Sequence, residues 1–345
     1  MATISPELFS LIDNFCSGEQ ITNLLRIYQG TEGIKLTAPS KEELIKVNLG
    51  NAIDARIVPI EKVYDLIREA EENGSQHIFY YIPAGVPKPL GLADIGQRLW
   101  GETWLKKTKF PRVSLDEGKF VFSDLRLFLP ERKPLDWVLK VYGHEFTDHA
   151  TDIVKELSDN RYTREFIREE RRIVIVVRWN NPGILEIRLP RLTDSRKQLK
   201  AWLELTWQMI APAINPNLYT KWDLSKARAK MISEQRKNQK LYRCSHSRVR
   251  DGFQNVASFE CGAPQGDLFA SEGVVESVKR LIGSTDGECT QLRAAWLSKE
   301  TETIPSRDVT TLIGQPTDAN EVLFTAQCTS RDVDYVTDQL RFFSK

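Results

Sequence analysis

The chain has 345 residues, of which 28% are charged and 41% are hydrophobic, and its formal net charge is +1 at pH 7. This composition, together with the lack of a long apolar run, excludes disordered, collagen-like and membrane-spanning classes of protein. At about 150 residues per domain, the length favours two domains.

The first 75 residues show the apolar period of short amphipathic helices. Apolar side chains recur every three to four positions over Leu8–Phe15, and three further stripes of this kind follow before residue 75. Four such helices form a small bundle, which is either an interaction module of the death-domain kind or a lid that packs on the following sheet. We favour the first and predict that residues 1–75 are a helical module that binds a protein partner. The last turn of the fourth helix is acidic and is expected to suit a basic partner surface: Glu69, Glu71 and Glu72.

The rest of the chain, 76–345, mixes strand and helix patterns and is predicted to form the second domain. His77–Pro83 has the β-branched and aromatic content of a strand, and Arg171–Arg178 is predicted to be the first strand of a hairpin. Helices are expected over about 194–210 and 223–241, and a further helix, strand, hairpin and closing helix follow. The predicted fold class is therefore α+β, an N-terminal helical bundle followed by a mixed or antiparallel sheet that is flanked by helices.

The middle of the chain is strongly basic. Residues 151–250 contain 22 basic and 11 acidic side chains, whereas residues 1–100 contain 9 and 13 and residues 251–345 contain 8 and 15. The basic side chains are concentrated on the two predicted helices between 194 and 241 and on the segment that follows them. These are the candidate nucleic-acid-binding residues: Arg196, Lys200, Lys226, Arg228, Lys230, Arg236, Lys237, Lys240, Arg243, Arg248 and Arg250.

Several cations on one extended element are typical of surfaces that neutralise a phosphate backbone. The sequence therefore favours a non-enzymatic protein that binds nucleic acid, and more specifically duplex DNA. If about six of the candidates contact phosphates, the logarithm of the affinity should fall against the logarithm of the salt concentration with a slope near −5, because each contact contributes about −0.9. Four aromatic residues of the same region would stack on the bases of a single-stranded ligand if they were exposed: Trp207, Tyr219, Trp222 and Tyr242.

Two alternatives to DNA binding are open. In the first, the basic residues pair with the acidic flanks of the same chain or dock on an acidic protein, which would make the chain a subunit of an assembly. In the second, a metal-dependent nuclease uses Glu186, which precedes Arg188 by two residues in the carboxylate-x-cation arrangement of many nucleases. On a strand these two side chains share one face, so a salt bridge between them explains the pattern as well.

The motifs of metal, nucleotide and hydrolase sites are absent or incomplete. His144 and His149 are five residues apart, whereas a zinc-binding helix needs a spacing of four. The sequence has neither a Gly-rich phosphate loop nor a Gly-x-Ser-x-Gly elbow. We therefore predict no catalytic residue, no metal and no cofactor.

The cysteines and the N-terminus indicate where the chain acts. Five cysteines, odd in number and widely spaced, are typical of free thiols in a reducing compartment. The first 15 residues lack the basic start and the apolar centre of a signal peptide. We expect an intracellular protein, cytoplasmic or nuclear, that has no membrane contact.

The order of elements resembles that of the kinetochore centromere protein N family. The matching segments are His77–Pro83 after the fourth helix, Leu292–Lys299 as a late strand, and Leu323–Leu340 as a strand that leads into the closing helix. In that family a pyrin-like helical domain precedes a β-sheet domain, and the groove between them holds nucleosomal DNA. The resemblance implies a DNA-binding function, but it assigns no nucleosome-binding residue to a position of this chain.

Overall fold

A computed structural model describes residues 4–85, 91–102, 110–111, 118–127, 136–158, 161–180, 183–191, 196–263, 265–283, 286–298, 305 and 307–345. Over these residues the chain is an α+β protein, in which N-terminal helices precede a large antiparallel sheet flanked by further helices. The predicted fold class is confirmed, and all strand pairs of the sheet are antiparallel. None of the helices in these ranges is both long and apolar enough to cross a membrane.

The helices, in chain order, are α1 (Pro6–Phe15), α2 (Gly18–Arg26), α3 (Lys41–Glu43), α4 (Gly50–Asp54), α5 (Ile60–Glu72), α6 (Leu92–Trp100), α7 (Arg196–Ile210), α8 (Ser225–Glu234), α9 (Glu272–Gly283) and α10 (Ser330–Ser344). A π-helical stretch, Leu44–Leu49, joins α3 to α4. The strands are β1 (Gln76–Pro83), β2 (Val121–Leu127), β3 (Trp137–Ser158), β4 (Arg161–Asn180), β5 (Ile184–Pro190), β6 (Tyr219–Lys221), β7 (Tyr242–Arg250), β8 (Val256–Glu260), β9 (Glu288–Trp296), β10 (Val309–Gln315) and β11 (Asp318–Phe324).

The strands form one sheet in the order β2-β3-β4-β5-β1-β11-β10-β9-β7-β8, with β6 beside β1. Alternate side chains of β1 point to opposite faces, which we call the first face (Ile78, Tyr80) and the second face (Phe79, Tyr81). On the first face, α8, α9 and α10 share a hydrophobic core with Ile78 and Tyr80. On the second face, α6 and α7 share a separate core with Phe79 and Tyr81.

The helical bundle packs on the first face, at the end of the sheet formed by β2, β3 and β4. Its last helix, α5, places Glu71 and Glu72 in the buried contact, where Lys140 of β3 binds both carboxylates. The expectation that this acidic helix end faces a basic partner is therefore wrong for Glu71 and Glu72, because the chain's own sheet supplies the cations. The third acidic residue, Glu69, accepts a hydrogen bond from the Ser330 backbone N–H at the start of α10.

One segment of the basic middle differs from its prediction. The predicted helix over 223–241 ends at Glu234, and a 3₁₀ turn over Gln235–Lys237 leads into β7. The residues after the helix form a strand because apolar side chains alternate there with basic ones, and the buried members, such as Tyr242 and Val249, join the core on the first face.

Candidate nucleic-acid interface

The structure separates the eleven predicted residues onto opposite faces of the sheet. The buried side of α7, including Leu199 and Trp202, belongs to the core of the second face, whereas the buried side of α8, including Met231, belongs to the core of the first face. Arg196 and Lys200 on α7 are therefore on the other side of the sheet from the basic residues of α8. The eleven side chains do not form one continuous surface.

The strand β7 adds to this separation. Tyr242, Cys244 and Val249 point into the core of the first face. An irregularity in the pairing of β7 with β9 between Cys244 and His246 shifts the alternation of side chains by one residue, so Arg243, Arg248 and Arg250 all point towards the second face.

Four of the predicted arginines bind carboxylates of the acidic C-terminal segment. Arg196 contacts Asp318 at 2.7 Å and Glu321 at 2.8 Å. Burial by itself would lower the pKa of Arg196, but the contacts with Glu321 and Asp318 raise it above its ordinary value. The other three pairs are Arg236 with Glu272, Arg243 with Asp308 and Arg250 with Glu288. One alternative from the sequence was that the basic residues pair with the acidic flanks of the same chain. The structure shows this pairing for these four arginines.

A fifth arginine, Arg228, is buried and binds backbone. Its side chain is 1% exposed, and its Nε donates to the carbonyl oxygen of Cys289 at 2.7 Å while Nη1 donates to that of Ala319 at 3.3 Å. Gly314 makes room for the guanidinium, because a Cβ at this position would lie 2.3 Å from Nη1. The φ angle of Gly314 is +78°, in the region that favours glycine. Burial therefore removes Arg228 from any surface that contacts phosphate.

The predicted lysines behave differently from the arginines. Within the described part of the chain, no carboxylate oxygen lies within 4.0 Å of Lys200, Lys226, Lys230, Lys237 or Lys240, and the same holds for Arg248. The planar guanidinium suits fixed, bidentate and buried contacts, whereas the lysine ammonium is a strongly hydrated point charge. Five of the six candidate arginines thus have partners within the fold, whereas the lysines remain on its surface.

A groove between α8 and α9 brings three lysines together. It has a volume of about 450 Å³ and is lined by Lys226 and Lys230 of α8 and Lys279 of α9, with Ile232 and Ile282 on its apolar part. Lys230 also lies over the ring of Phe342, with Nζ 5.4 Å from the ring centroid. We use the name lysine surface for five residues, three that line this groove and two that are exposed on the turn between α8 and β7: Lys226, Lys230, Lys279, Lys237 and Lys240. The sequence did not single out Lys279, because the segment in which it lies is acidic overall.

The four aromatic residues considered for base stacking are in the interior or at its margin. Trp222 and Tyr242 are buried, at 8% and 0% exposure. Trp207 and Tyr219 are half-buried, and their ring centroids lie 6.2 Å apart in the core of the second face. These side chains are therefore not available as a stacking platform for single strands.

Glu186 is also an internal group. Its carboxylate is fully buried and binds the Arg188 guanidinium, with Nε donating to Oε2 at 2.9 Å. Burial would raise the pKa of Glu186, but Arg188 and Arg178 hold it below its ordinary value. Of the two interpretations of Glu186, the structure thus shows the salt bridge with Arg188. No observation on the described residues favours the nuclease alternative.

The described side chains contain no group of three or more His, Cys, Asp and Glu residues placed to hold a metal ion. His144 is half-buried, and its ring centroid lies 4.7 Å from that of Phe146, while the side chain of His149 lies outside the described residues. All five cysteines are free thiols.

Comparison of the whole chain with protein-family models, with curated proteins and with solved structures finds no match in any of the three.

Proposed function

We propose that the chain is a non-enzymatic nucleic-acid-binding protein that contacts the phosphate backbone of duplex DNA through the lysine surface on α8, on α9 and on the turn after α8. The observation that supports this proposal is that, among the described residues, no carboxylate contacts these lysines, whereas five of the six candidate arginines are already bound. Lysines of this kind break no salt bridge when they approach a phosphate, and they release counterions from it.

The proposed contact is with backbone and carries no sequence information. Lysine binds a phosphate as a point charge, whereas base reading in a groove needs planar donors such as arginine or glutamine aimed at base edges. The arginines of the segment are bound to carboxylates or backbone, with the exception of Arg248 on the opposite face. We therefore infer binding that depends on salt and is insensitive to sequence.

The salt dependence of the affinity tests this function. If the five lysines contact phosphates, the double-logarithmic slope for a short labelled duplex should be about −4.5, since each contact contributes about −0.9. Replacing Lys226, Lys230, Lys237 and Lys240 by glutamine should bring the slope to about −1. The measurement is fluorescence anisotropy over a series of salt concentrations. A control that loses the same charge in the helical bundle should keep the wild-type slope: Lys35, Lys41, Lys46 and Lys62 to glutamine.

A second variant tests which face of the sheet binds. Lys200 and Arg248 lie towards the second face. The variant Lys200→Gln with Arg248→Gln is therefore expected to keep the wild-type salt slope and an affinity within about twofold of wild type. Anisotropy on the same duplex checks this result. A loss equal to that of the four-lysine variant would mean that the opposite face carries the contact.

The assembly alternative uses the same lysines but predicts a different result. If an acidic protein is the ligand, charge reversal at Lys230 and Lys237 would abolish co-purification of that partner and leave DNA affinity unchanged. A flat salt response of the wild-type chain with duplex DNA would contradict the proposed function. The resemblance to the centromere protein N family agrees with DNA as the ligand and stays a prediction.

A further inference from the structure

The groove between α8 and α9 has an apolar floor, formed by Ala229 and Ile232 of α8 and Ile282 of α9. Ala229 is exposed and Ile282 is half-buried, so apolar surface of the floor is accessible to a ligand. Both helices are anchored to the sheet, because Met231 of α8 and Val278 of α9 belong to the core of the first face. The floor therefore lies between two walls that the fold holds in place.

The rim of the groove is positively charged. Lys226 and Lys230 of α8 and Lys279 of α9 line it, and its described lining includes no acidic side chain. Within the described ranges, no carboxylate oxygen lies within 4.0 Å of these three lysines. A ligand that covers the floor needs an apolar side, and a ligand that contacts the rim needs negative charge.

The dimensions of the groove match a short stretch of helix. Lys226 and Lys230 are one helical turn apart, so their Cβ atoms are separated by about 6 Å, and two acidic side chains at the same spacing on a second helix can face them. The part of α8 that lines the groove, from Lys226 to Ser233, is about 10 Å long, which corresponds to about two turns. The volume of about 450 Å³ is in the range of ligand-binding clefts.

Apolar surface continues beside the rim and is not explained by phosphate binding. Phe342 of α10 is 55% exposed, and the Nζ of Lys230 lies 5.4 Å from its ring centroid. A DNA backbone contacts cations through its phosphates and has no apolar side chain to cover Phe342 or the floor. An amphipathic helix has an apolar side and a charged side, and helices of this kind bind in apolar grooves through side chains one turn apart.

We propose that the groove binds an acidic amphipathic helix of a partner protein, which places apolar side chains on the floor and carboxylates beside the three lysines of the rim. Lys237 and Lys240 are not part of the groove, so this helix covers only part of the lysine surface. Because duplex DNA is proposed to contact the same three lysines, the helix and DNA should compete. This competition rests on the proposed function, whereas the binding of the helix does not.

A labelled synthetic peptide tests the binding. We use a helix of about 18 residues of alanine, leucine and glutamate, with the leucines on one stripe and the glutamates on its borders. Fluorescence anisotropy with the full chain should give a Kd of about 10–100 µM, as expected for a small interface. A peptide of the same composition with its leucines distributed around the helix should bind at least about fivefold more weakly. Equal binding of both peptides, or no binding of the first at about 1 mM, would overturn the proposal.

A substitution on the floor separates the apolar contact from charge. Ala229→Gln places a larger polar side chain in the groove and changes no charge. It should weaken peptide binding at least about fivefold and leave the salt slope with duplex DNA unchanged. The matched control is Ala201→Gln, at an exposed alanine of α7 on the other face of the sheet, and it should bind the peptide like wild type. An Ala229→Gln variant with wild-type peptide affinity would contradict the groove as the binding site.

A second pair of variants tests the rim. Lys226→Gln with Lys279→Gln removes one cation from each wall and should weaken peptide binding about tenfold. Lys197→Gln with Lys200→Gln removes two exposed lysines of α7 and should leave peptide binding unchanged. Circular dichroism establishes that all variants fold. Equal loss in the two variants would overturn the proposal, because it would show an effect of net charge and not of the groove.

The same measurements distinguish this proposal from DNA binding. A wild-type chain that binds the peptide and has no affinity for duplex DNA would contradict the proposed function and support the groove as a peptide site. Affinity for DNA without affinity for the peptide would contradict the peptide site alone. If both ligands bind, unlabelled peptide should displace the labelled duplex, and a duplex that stays bound at saturating peptide would contradict the shared lysines.

Discussion

Replacing Lys140 by methionine is expected to destabilise the protein by about 3–5 kcal/mol. Lys140 is fully buried between α5 and the sheet, and its Nζ lies 2.9 Å from carboxylate oxygens of both Glu71 and Glu72. Methionine fills a similar volume but leaves the two buried carboxylates without their shared cation. Urea unfolding at pH 7 measures the loss. Lys46→Met, at an exposed lysine paired with Glu42, should change the stability by less than about 0.5 kcal/mol.

Lys140, Glu71 and Glu72 belong to a buried charge network, and its other members determine how much of the lost stability a second substitution restores. Arg126 also binds Glu72, and the Tyr142 hydroxyl donates to Glu71 at 2.8 Å. Glu72 keeps Arg126 when Lys140 is lost, whereas Glu71 loses its closest cation. Adding Glu71→Gln to Lys140→Met removes this poorly compensated buried charge, so the double variant should be at least about 1 kcal/mol more stable than Lys140→Met alone. A double variant as unstable as the sum of its single substitutions would show that Lys140 acts through packing and not through charge.

The same network predicts sensitivity to acid. Burial would raise the pKa of Glu72, but Lys140 and Arg126 lower it to about 2, against an ordinary value of 4.5. Because the folded-state pKa is the lower one, the stabilisation is fully present above pH 4.5 and is lost as the pH falls towards 2. It amounts to about 3 kcal/mol. The stability difference between wild type and Glu72→Gln should therefore shrink when unfolding is measured at pH 2.5 instead of pH 7, whereas Glu42→Gln, at an exposed carboxylate, should behave like wild type.

Arg228→Met is expected to destabilise the protein by about 2–4 kcal/mol while leaving its salt-dependent DNA affinity unchanged. The substitution leaves the buried carbonyl oxygens of Cys289 and Ala319 without their donor, and each unsatisfied group costs about 1–3 kcal/mol. It also leaves unfilled the space beside Gly314 that the guanidinium occupies. Thermal or urea unfolding measures the stability, and anisotropy measures the affinity.

Lys226→Met, two residues earlier on the same helix, is the matched control for Arg228→Met. Lys226 is exposed and lines the groove between α8 and α9. The stability of the Lys226→Met variant should stay within about 0.5 kcal/mol of wild type, and its salt slope should become less steep by about 0.9. The two substitutions thus separate folding from binding. A variant of Arg228 that reduces the slope without loss of stability would return this residue to the binding surface.

Most helices and the strands of the sheet's centre could be predicted from local pattern. Leu8–Phe15 and the closing helix have one apolar stripe each, which fixes both the element and its buried side. The outer parts of β3 and β4, 144–158 and 161–172, could not be predicted in this way. Most of their described side chains are exposed, so polar and apolar residues do not alternate in the way that identifies a half-buried strand, and the long-range pairing of β3 with β4 sets the length of both.

At the candidate site as well, the sequence predicted some features, and others depended on contacts between distant parts of the chain. The sequence identified Arg228 and Lys226 as equivalent cations on one helix, and they differ because one points to the sheet and the other to solvent. Lys279 was missed because charge counts average over a segment. It comes beside Lys230 only because α8 and α9 pack on the same face.

The sequence by itself determined the fold class, the helical N-terminus and the presence of a large excess of cations between residues 151 and 250. These properties depend on composition and on contacts between near neighbours, which a pattern of three or four residues encodes. Only the tertiary structure decided which cations remain available. The faces of the sheet, the acidic side chains of the C-terminal segment and the backbone carbonyls around Gly314 come from distant parts of the chain, and their positions decide whether a cation is buried, paired or exposed.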